Sequence, residues 1–431
     1  MNKWQEQYKQ KLMSAEDAVK LIKPGAYCCA PIGVGEPPAL LEAMVDCEGL
    51  TDVKVSQMIA NQKLRYLDPE YSHRFRHISW FTAGASRAAV QEGRADFVPC
   101  FYHEIPMFHR DYWEHDVFFA TVSRMDKHGW FSFGAAVSEA HAMMSKSKCV
   151  ILEVNNYMPR VHGQSMVHIS QVDALIENHT PLPELPSPPL TETDKAIGQY
   201  IADRVKDGSV IQLGIGGIPN ATALALCSKK DLGIHTEMFT DGMIDMIEAG
   251  AVTNRRKNIH REKSIATFAM GSQRLFDYLD DNLGVEFYPV DYVNDPYLVA
   301  QLDNFVSINA CVEVDLIGQV CSESIGTRQF SGTGGQVDFV RGASKSKGGQ
   351  AFITTYSTAK KGTISKIVPT LTPGAHVTTS KNDVDMVVTE YGVAKLKGKT
   401  ASERARELIA IAHPDFRAEL TQAAQKMFLL P

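Results

Sequence analysis

The 431-residue sequence predicts an α/β fold of two related open domains with mainly parallel sheets. Three observations lead there. Short β-rich runs without strict polar alternation, as strands buried on both faces have, recur between helix-length segments. A stretch with five prolines, ENHTPLPELPSPPLTETD at 177–194, interrupts the chain near its middle. The segments on either side also resemble each other. LIKPGAYCCAPIGVGEPPALLEAM begins at Leu21 and RVKDGSVIQLGIGGIPNATALAL at Arg204, and they align Gly25 with Gly208, Ile32 with Ile215 and Gly33 with Gly216. Each copy reads strand, glycine-rich turn, helix, as a duplicated unit would. We therefore expect a first domain at 1–180, a linker at 181–194 and a second domain at 195–431.

In chain order, helices are expected at 14–22, 38–46, 219–228, 241–249 and 401–412. The last has Thr400 and Glu403 spaced as a capping box and Pro414 beyond its end. Strands are expected at Val117–Val122, Cys149–Val154, Ser209–Ile215, Phe352–Thr355 and Asp385–Thr389. The glycine-dense SGTGGQVDFVRGA (331–343) ends in a strand-like VDFV.

The bulk properties exclude several classes. Hydrophobic residues make up 44% and charged residues 22%, with a net charge of −6, so no general nucleic-acid surface is implied. No apolar run approaches the ~18 residues of a membrane span, and MNKWQEQYKQK lacks the apolar core of a secretory signal. The eight cysteines are scattered without a CxxC and read as reduced, mostly buried thiols of a cytoplasmic protein.

Several motifs fail on inspection. GIGGIP (214–219), GVGEPP (33–38) and GTGGQV (332–337) each lack the third glycine of a dinucleotide fingerprint. GVAKLKGKT (392–400) has its first glycine one residue too far back for a P-loop. HEIPMFH (103–109) spaces its histidines too widely for one helical face, and SHRFRH, with His73 and His77, reads as a basic surface segment. Metal ligands are therefore not expected.

What holds is a glycine loop between strand and helix, IQLGIGGIPNATAL, where the backbone can approach a ligand and a helix presents free N–H groups. A tight structural turn is the equal alternative. Glu237, in LGIHTEMFTDGMID, sits where a strand ends near the chain's interior, where a carboxylate is costly unless paired or employed.

As a set, LGIGGIPNA, LGIHTEMFTDGMIDMIEAG, SINACVEVDLIGQVCSESIGT, FSGTGGQVDFVRGA, SKIVP and VVTEYGVAKLKGKT, with EPPALLEAM and HGWFSFG in the first half, resemble the family I coenzyme A transferases. The similarity is to their acetyl-CoA hydrolase/transferase branch, which includes 4-hydroxybutyrate CoA-transferase and butyryl-CoA:acetate CoA-transferase. The resemblance implies roles. Glu237 matches the catalytic glutamate. Gly214, Ile215, Gly216, Gly217 and Ile218 match a loop lining the CoA and acyl site. Asn309 matches an amide beside the thioester oxygen, and Gly335 a backbone oxyanion donor. Ser331 lies at a CoA-contacting position, and Lys360, or its neighbour Lys361, matches a lysine that reaches the CoA phosphates.

The activity so implied is transfer of CoA between short-chain acids, acetate with butyrate or 4-hydroxybutyrate, through a glutamyl-CoA thioester. The alternatives are an acyl-CoA hydrolase on the same scaffold and a non-catalytic CoA sensor. Acyl-CoA and carboxylates would be substrates, with no metal or prosthetic group, in a cytoplasmic homodimer. With Glu237, Asn309 and both glycine loops in the second half, the first is expected to form the opposite wall of an active-site cleft between the domains.

Overall fold

The computed structural model describes residues 2–431, which fold as two compact α/β units. One comprises the chain to Pro186 together with Ile265–Val293, and the other Ser187–Ser264 with Asn294–Pro431. One change of unit falls between Pro186 and Ser187, in the proline-rich stretch. The segment 265–293, which the sequence places in the second domain, instead packs in the first. Its strand at Val285–Phe287 runs parallel to His162–Gly163, a long-range pairing that leaves no local signal.

The first unit holds a seven-stranded, all-parallel sheet. Its strands are β1 (Tyr27–Cys29), β2 (Val53–Gln57), β3 (Phe75–Ser79), β4 (Ala95–Phe97), β5 (His115–Val122), β6 (Ser147–Val154) and β7 (Ala174–Glu177), in the order β7-β6-β5-β1-β2-β3-β4. Helix α1 (Pro38–Asp46) follows the first glycine turn and buries Leu40, Leu41, Met44 and Val45. His77 lies on β3 and is buried, with its Nδ1 2.9 Å from the Tyr66 hydroxyl, so SHRFRH is not wholly a surface segment. Strand alternation turns His77 inward while Arg76 faces out to Asp96.

The second unit contains β8 (Val210–Leu213), β9 (Gly233–Ile234), β10 (Phe305–Ala310), β11 (Gln350–Thr354), β12 (Met386–Thr389) and β13 (Gly392–Lys395). Their order is β9-β8-β10-β11-β12-β13, parallel except for β13. Helices α2 (Glu192–Ala202), α3 (Gly217–Leu226), α4 (Asp241–Glu248), α5 (Gln336–Lys345) and α6 (Ala401–Ala410) connect and cover it. VDFV belongs to α5, not to a strand. Val337, Phe339, Val340 and Ala343 are all buried there, and a short apolar run of that kind does not distinguish strand from buried helix. The capping box at Thr400 and Glu403 is formed, and all eight cysteines are free thiols. No described helix is long and apolar enough to cross a membrane.

The order β2-β1-β5-β6-β7 in one sheet matches β9-β8-β10-β11-β12 in the other. Gly25 and Gly208 have the same left-handed φ, +76° and +79°, just before corresponding strands. Tyr27 is paired with Lys54, and Val210 with Gly233, so counting onward sets Met58 where the second unit has Glu237. By the same count Ala120 stands for Asn309. The anion-binding end of α1 is also occupied, because Ala39 and Leu40 donate their N–H groups to the buried carboxylate of Glu153.

In the second unit the helix after the glycine loop is seated closely on α2. A Cβ on Gly198 would lie 2.8 Å from the backbone of Ala221 and Thr222 on α3. Gly198→Ala should therefore push α3 outward and destabilise the fold by about 2 kcal/mol. A clearly lowered midpoint in thermal denaturation is expected. An unchanged midpoint would mean that the two helices are free to separate.

Candidate active site

Parallel strands deliver their following loops to one edge of a sheet, the place where open α/β sheets bind ligands. Strand β9 leads to Glu237, β8 to Gly214–Ile218 and β10 ends in Asn309 and Ala310. β11 leads to Lys360. With about 4.8 Å between strands, Asn309 belongs roughly 10 Å from the β9 line, and the β11 loop farther along the same edge.

Glu237 is the centre of the arrangement. Its Oε2 accepts a hydrogen bond from Asn294 Nδ2 at 2.8 Å, and its carboxyl is also hydrogen-bonded by the Gly335 N–H. Gly335 is the N-terminal cap of α5, so the donor belongs to the start of a helix. The approach needs glycine: a Cβ there would fall 1.9 Å from Glu237 Oε2 and 2.3 Å from Asn294 Nδ2. Asn294 Nδ2 also lies 3.4 Å from Asp338 Oδ2, on the first turn of α5. Facing two carboxylates, the amide must present its NH2 and not its oxygen.

Desolvation pushes the pKa of Glu237 up to about 7. The Asn294 bond opposes the shift, the Asp338 charge adds to it, and the Gly335 bond again opposes it. Burial raises Glu36, Glu139 and Glu153 to about the same value, so the shift alone does not single Glu237 out. Accessibility does. Those three are at most 1% exposed, whereas Glu237 keeps part of its surface open.

The structure brings Glu237 and Gly335 into contact and sets the other expected residues around them without direct bonds to the carboxyl. Asn309 is half-buried, and its amide donates to Ser307 Oγ at 2.8 Å and more weakly to Gln212 Oε1 at 3.3 Å. The glycine loop is open: nothing lies within 4 Å of a Cβ on Gly214 or Gly216, and Ile215 is 46% exposed. Gly217 abuts the Asp194 carboxylate, which would lie 2.6 Å from a Cβ. Burial of Asp194 works to raise its pKa, but hydrogen bonds from Thr191 and Tyr356 outweigh it and hold it below the usual carboxylate value. An ionised carboxylate at the start of α3 disfavours a phosphate there and suits an uncharged ligand segment.

Ser331 Oγ donates to the Ser322 carbonyl, and its N–H to that of Glu323. Lys360 and Lys361 are exposed at the tip of a hairpin, with φ of +47° and +57°. Two successive left-handed non-glycine residues cost about 1 kcal/mol or more each. Asn294 and Asp338 are the functional candidates that sequence reasoning missed. Asn294 sits in an unremarkable VNDP, and Asp338 would have emerged only if VDFV had been read as a helix.

The chain is similar to known proteins along most of its length. Residues 1–186 match the acetyl-CoA hydrolase/transferase N-terminal domain and residues 271–424 its C-terminal domain. The chain is 52% identical to the succinyl-CoA:cyclohexane-1-carboxylate CoA transferase of Geobacter metallireducens, over 98% of this chain and 97% of that one. It is 48% identical to the 4-hydroxybutyrate coenzyme A transferase of Clostridium kluyveri, over 99% and 100%. The acetyl-CoA hydrolase of Kluyveromyces lactis is more distant, 27% identical over 96% of this chain and 89% of that one. The crystal structure of RipA from Yersinia pestis superposes with a TM-score of 0.95 at 41% identity, covering all of both chains. The chain belongs to the acetyl-CoA hydrolase/transferase family.

Proposed function

We propose that this protein is a CoA-transferase that exchanges coenzyme A between carboxylic acids, with Glu237 as nucleophile. The carrying observation is the carboxyl of Glu237, held between Asn294 Nδ2 and the Gly335 N–H at the edge of a parallel sheet. The transferase reading is favoured over hydrolysis because the relatives near half identity are named transferases and the hydrolase is far more distant. For the acids, acetate with butyrate or 4-hydroxybutyrate leads, and cyclohexanecarboxylate and succinate belong in the same assay panel.

Moving CoA between acids without ATP needs an activated acyl intermediate, which a carboxylate can supply. Glu237 attacks the acyl-CoA carbonyl and expels CoA thiolate, leaving a mixed anhydride. The thiolate attacks the glutamyl carbonyl, the first acid departs, and a glutamyl-CoA thioester remains. A second carboxylate reverses the sequence. Each tetrahedral species carries an oxyanion, for which the Gly335 N–H and the Asn309 amide are suited, Asn309 giving up its weaker bond to Gln212. The open, uncharged loop at Gly214–Ile218 takes the pantetheine and thioester end, since Asp194 guards the start of α3. Lys360, with Lys361 beside it, takes the phosphates, and Ser331 lies along the path of the CoA. This chemistry calls on no metal or prosthetic group. The same reading carries a cytoplasmic homodimer, whose size light scattering would report.

Enzyme incubated with acyl-CoA alone should accumulate a CoA adduct that peptide mapping assigns to Glu237. Glu237→Gln should bind CoA and form none. An adduct on another residue would refute the assignment.

Only ionised Glu237 can attack, so a raised pKa removes activity on the acid side. kcat/KM for acyl-CoA should fall with a midpoint near pH 7. Asp338→Asn removes a like charge and should move that midpoint to lower pH. Asn294→Ala removes a bond to the anion and should move it higher. Shifts of the same sign in both variants would contradict the electrostatic account.

Gly335→Ala cannot be accommodated without displacing Glu237. Turnover should fall by roughly 100-fold, with CoA binding largely retained. Near-normal turnover would show that the carboxyl does not work from this position.

A further inference from the structure

Strand β9 leads directly to Glu237 and is the edge of its sheet. In a parallel strand the N–H and C=O of one residue point to the same side. The Gly233 and His235 N–H groups turn inward, bonding to the Ser209 and Ile211 carbonyls at 2.9 and 3.2 Å. Ile234 therefore turns both of its backbone groups away from the sheet. An unpaired edge at this point would leave the approach to Glu237 free to fray.

At Leu232 the backbone of 251–253 covers that edge through a parallel bridge to Val252, but at Ile234 two side chains do. Asn254 Oδ1 accepts the Ile234 N–H at 2.9 Å, and Lys257 Nζ donates to the Ile234 carbonyl at 2.8 Å. Together they make the pair of bonds a neighbouring strand would make. Both are nearly sealed from solvent, at 6% and 2% exposed. The segment carrying them is tied down as well. Asn254 Nδ2 donates to Ser264 Oγ at 3.0 Å and Lys257 Nζ to the Lys263 carbonyl at 2.6 Å. Just upstream, the Thr253 N–H bonds the Leu232 carbonyl. Asn254 adopts φ +55°, which asparagine tolerates. The lysine stem crosses Gly233 so closely that a Cβ there would lie 2.6 Å from Lys257 Cγ. A long cationic side chain thus spends its reach on backbone carbonyls, one of them three residues before the nucleophile.

We propose that Asn254 and Lys257 are positioning residues for Glu237, acting as a side-chain substitute for a strand that clamps Ile234 and so fixes where the glutamate emerges. They touch neither CoA nor the acid, so their loss acts on the chemical steps. The inference rests on Glu237 being the nucleophile.

The test uses the full chain with Lys257→Met, Asn254→Gly and Asn254→Asp. Lys257→Met keeps the stem and loses the donor. Asn254→Gly keeps the backbone conformation and loses the acceptor, which Asn254→Asp retains. Per folded enzyme, Lys257→Met and Asn254→Gly should lower kcat by at least about 10-fold with KM for acyl-CoA within about twofold. Asn254→Asp should retain clearly more activity than Asn254→Gly. The CoA adduct should still form on Glu237 in these variants, but more slowly. Wild-type adduct formation rates in both Lys257→Met and Asn254→Gly, whatever their melting temperatures, would overturn the proposal. If Lys257→Met does not fold, equal kcat in the two Asn254 variants overturns it. An adduct mapped away from Glu237 in the wild type would instead overturn the reading on which it rests.

Discussion

The proposed chemistry depends on keeping one carboxylate reactive in a place where water cannot fully solvate it. A carboxylate in bulk water is a weak nucleophile, and one sealed in protein without donors would stay protonated. Glu237 lies between these limits. Desolvation and the neighbouring Asp338 push its pKa up to about 7, while Asn294 and the Gly335 N–H pull against them. Two neutral donors hold the anion without pairing it to a cation, which would quench it.

That balance explains features of the fold that look unrelated. Gly335 must lack a side chain because the carboxyl occupies its Cβ position, and α5 must begin there to present an N–H. Asn294 opens the second portion of its unit, directly after a segment belonging to the other. The duplicated architecture places equivalent strand ends in both units, yet the first has Met58 and Ala120 at the positions of Glu237 and Asn309 and closes its helix start with Glu153. One copy of the scaffold thus holds the proposed chemistry, and the other has its corresponding helix end filled from within.

Much of this was legible in the sequence, for identifiable reasons. Continuous β-rich runs such as Val117–Val122 and a capping box at Thr400 are local signals, and the structure forms them nearly where expected. Glu237 and Gly335 were marked by family resemblance, and their contact is a feature of the fold. What escaped was non-local. The packing of 265–293 in the first unit, the buried face of His77 and the helical state of VDFV are decided by distant partners. Asn294, Asp338, Asn254 and Lys257 carry no motif, because their roles come from side chains meeting a strand or a carboxyl far along the chain.

The most direct measurement follows oxygen atoms. An acceptor acid labelled with 18O in its carboxylate is turned over repeatedly with an unlabelled acyl-CoA, and the released acid is examined by mass spectrometry. If Glu237 forms anhydrides with both acids, acceptor oxygen is left on its carboxyl and passes to the next acid released. The account predicts 18O in the released acid at a level that grows over successive turnovers and is independent of solvent oxygen. Released acid free of acceptor oxygen would contradict a carboxylate nucleophile, and oxygen drawn from water would show that the thioester is hydrolysed.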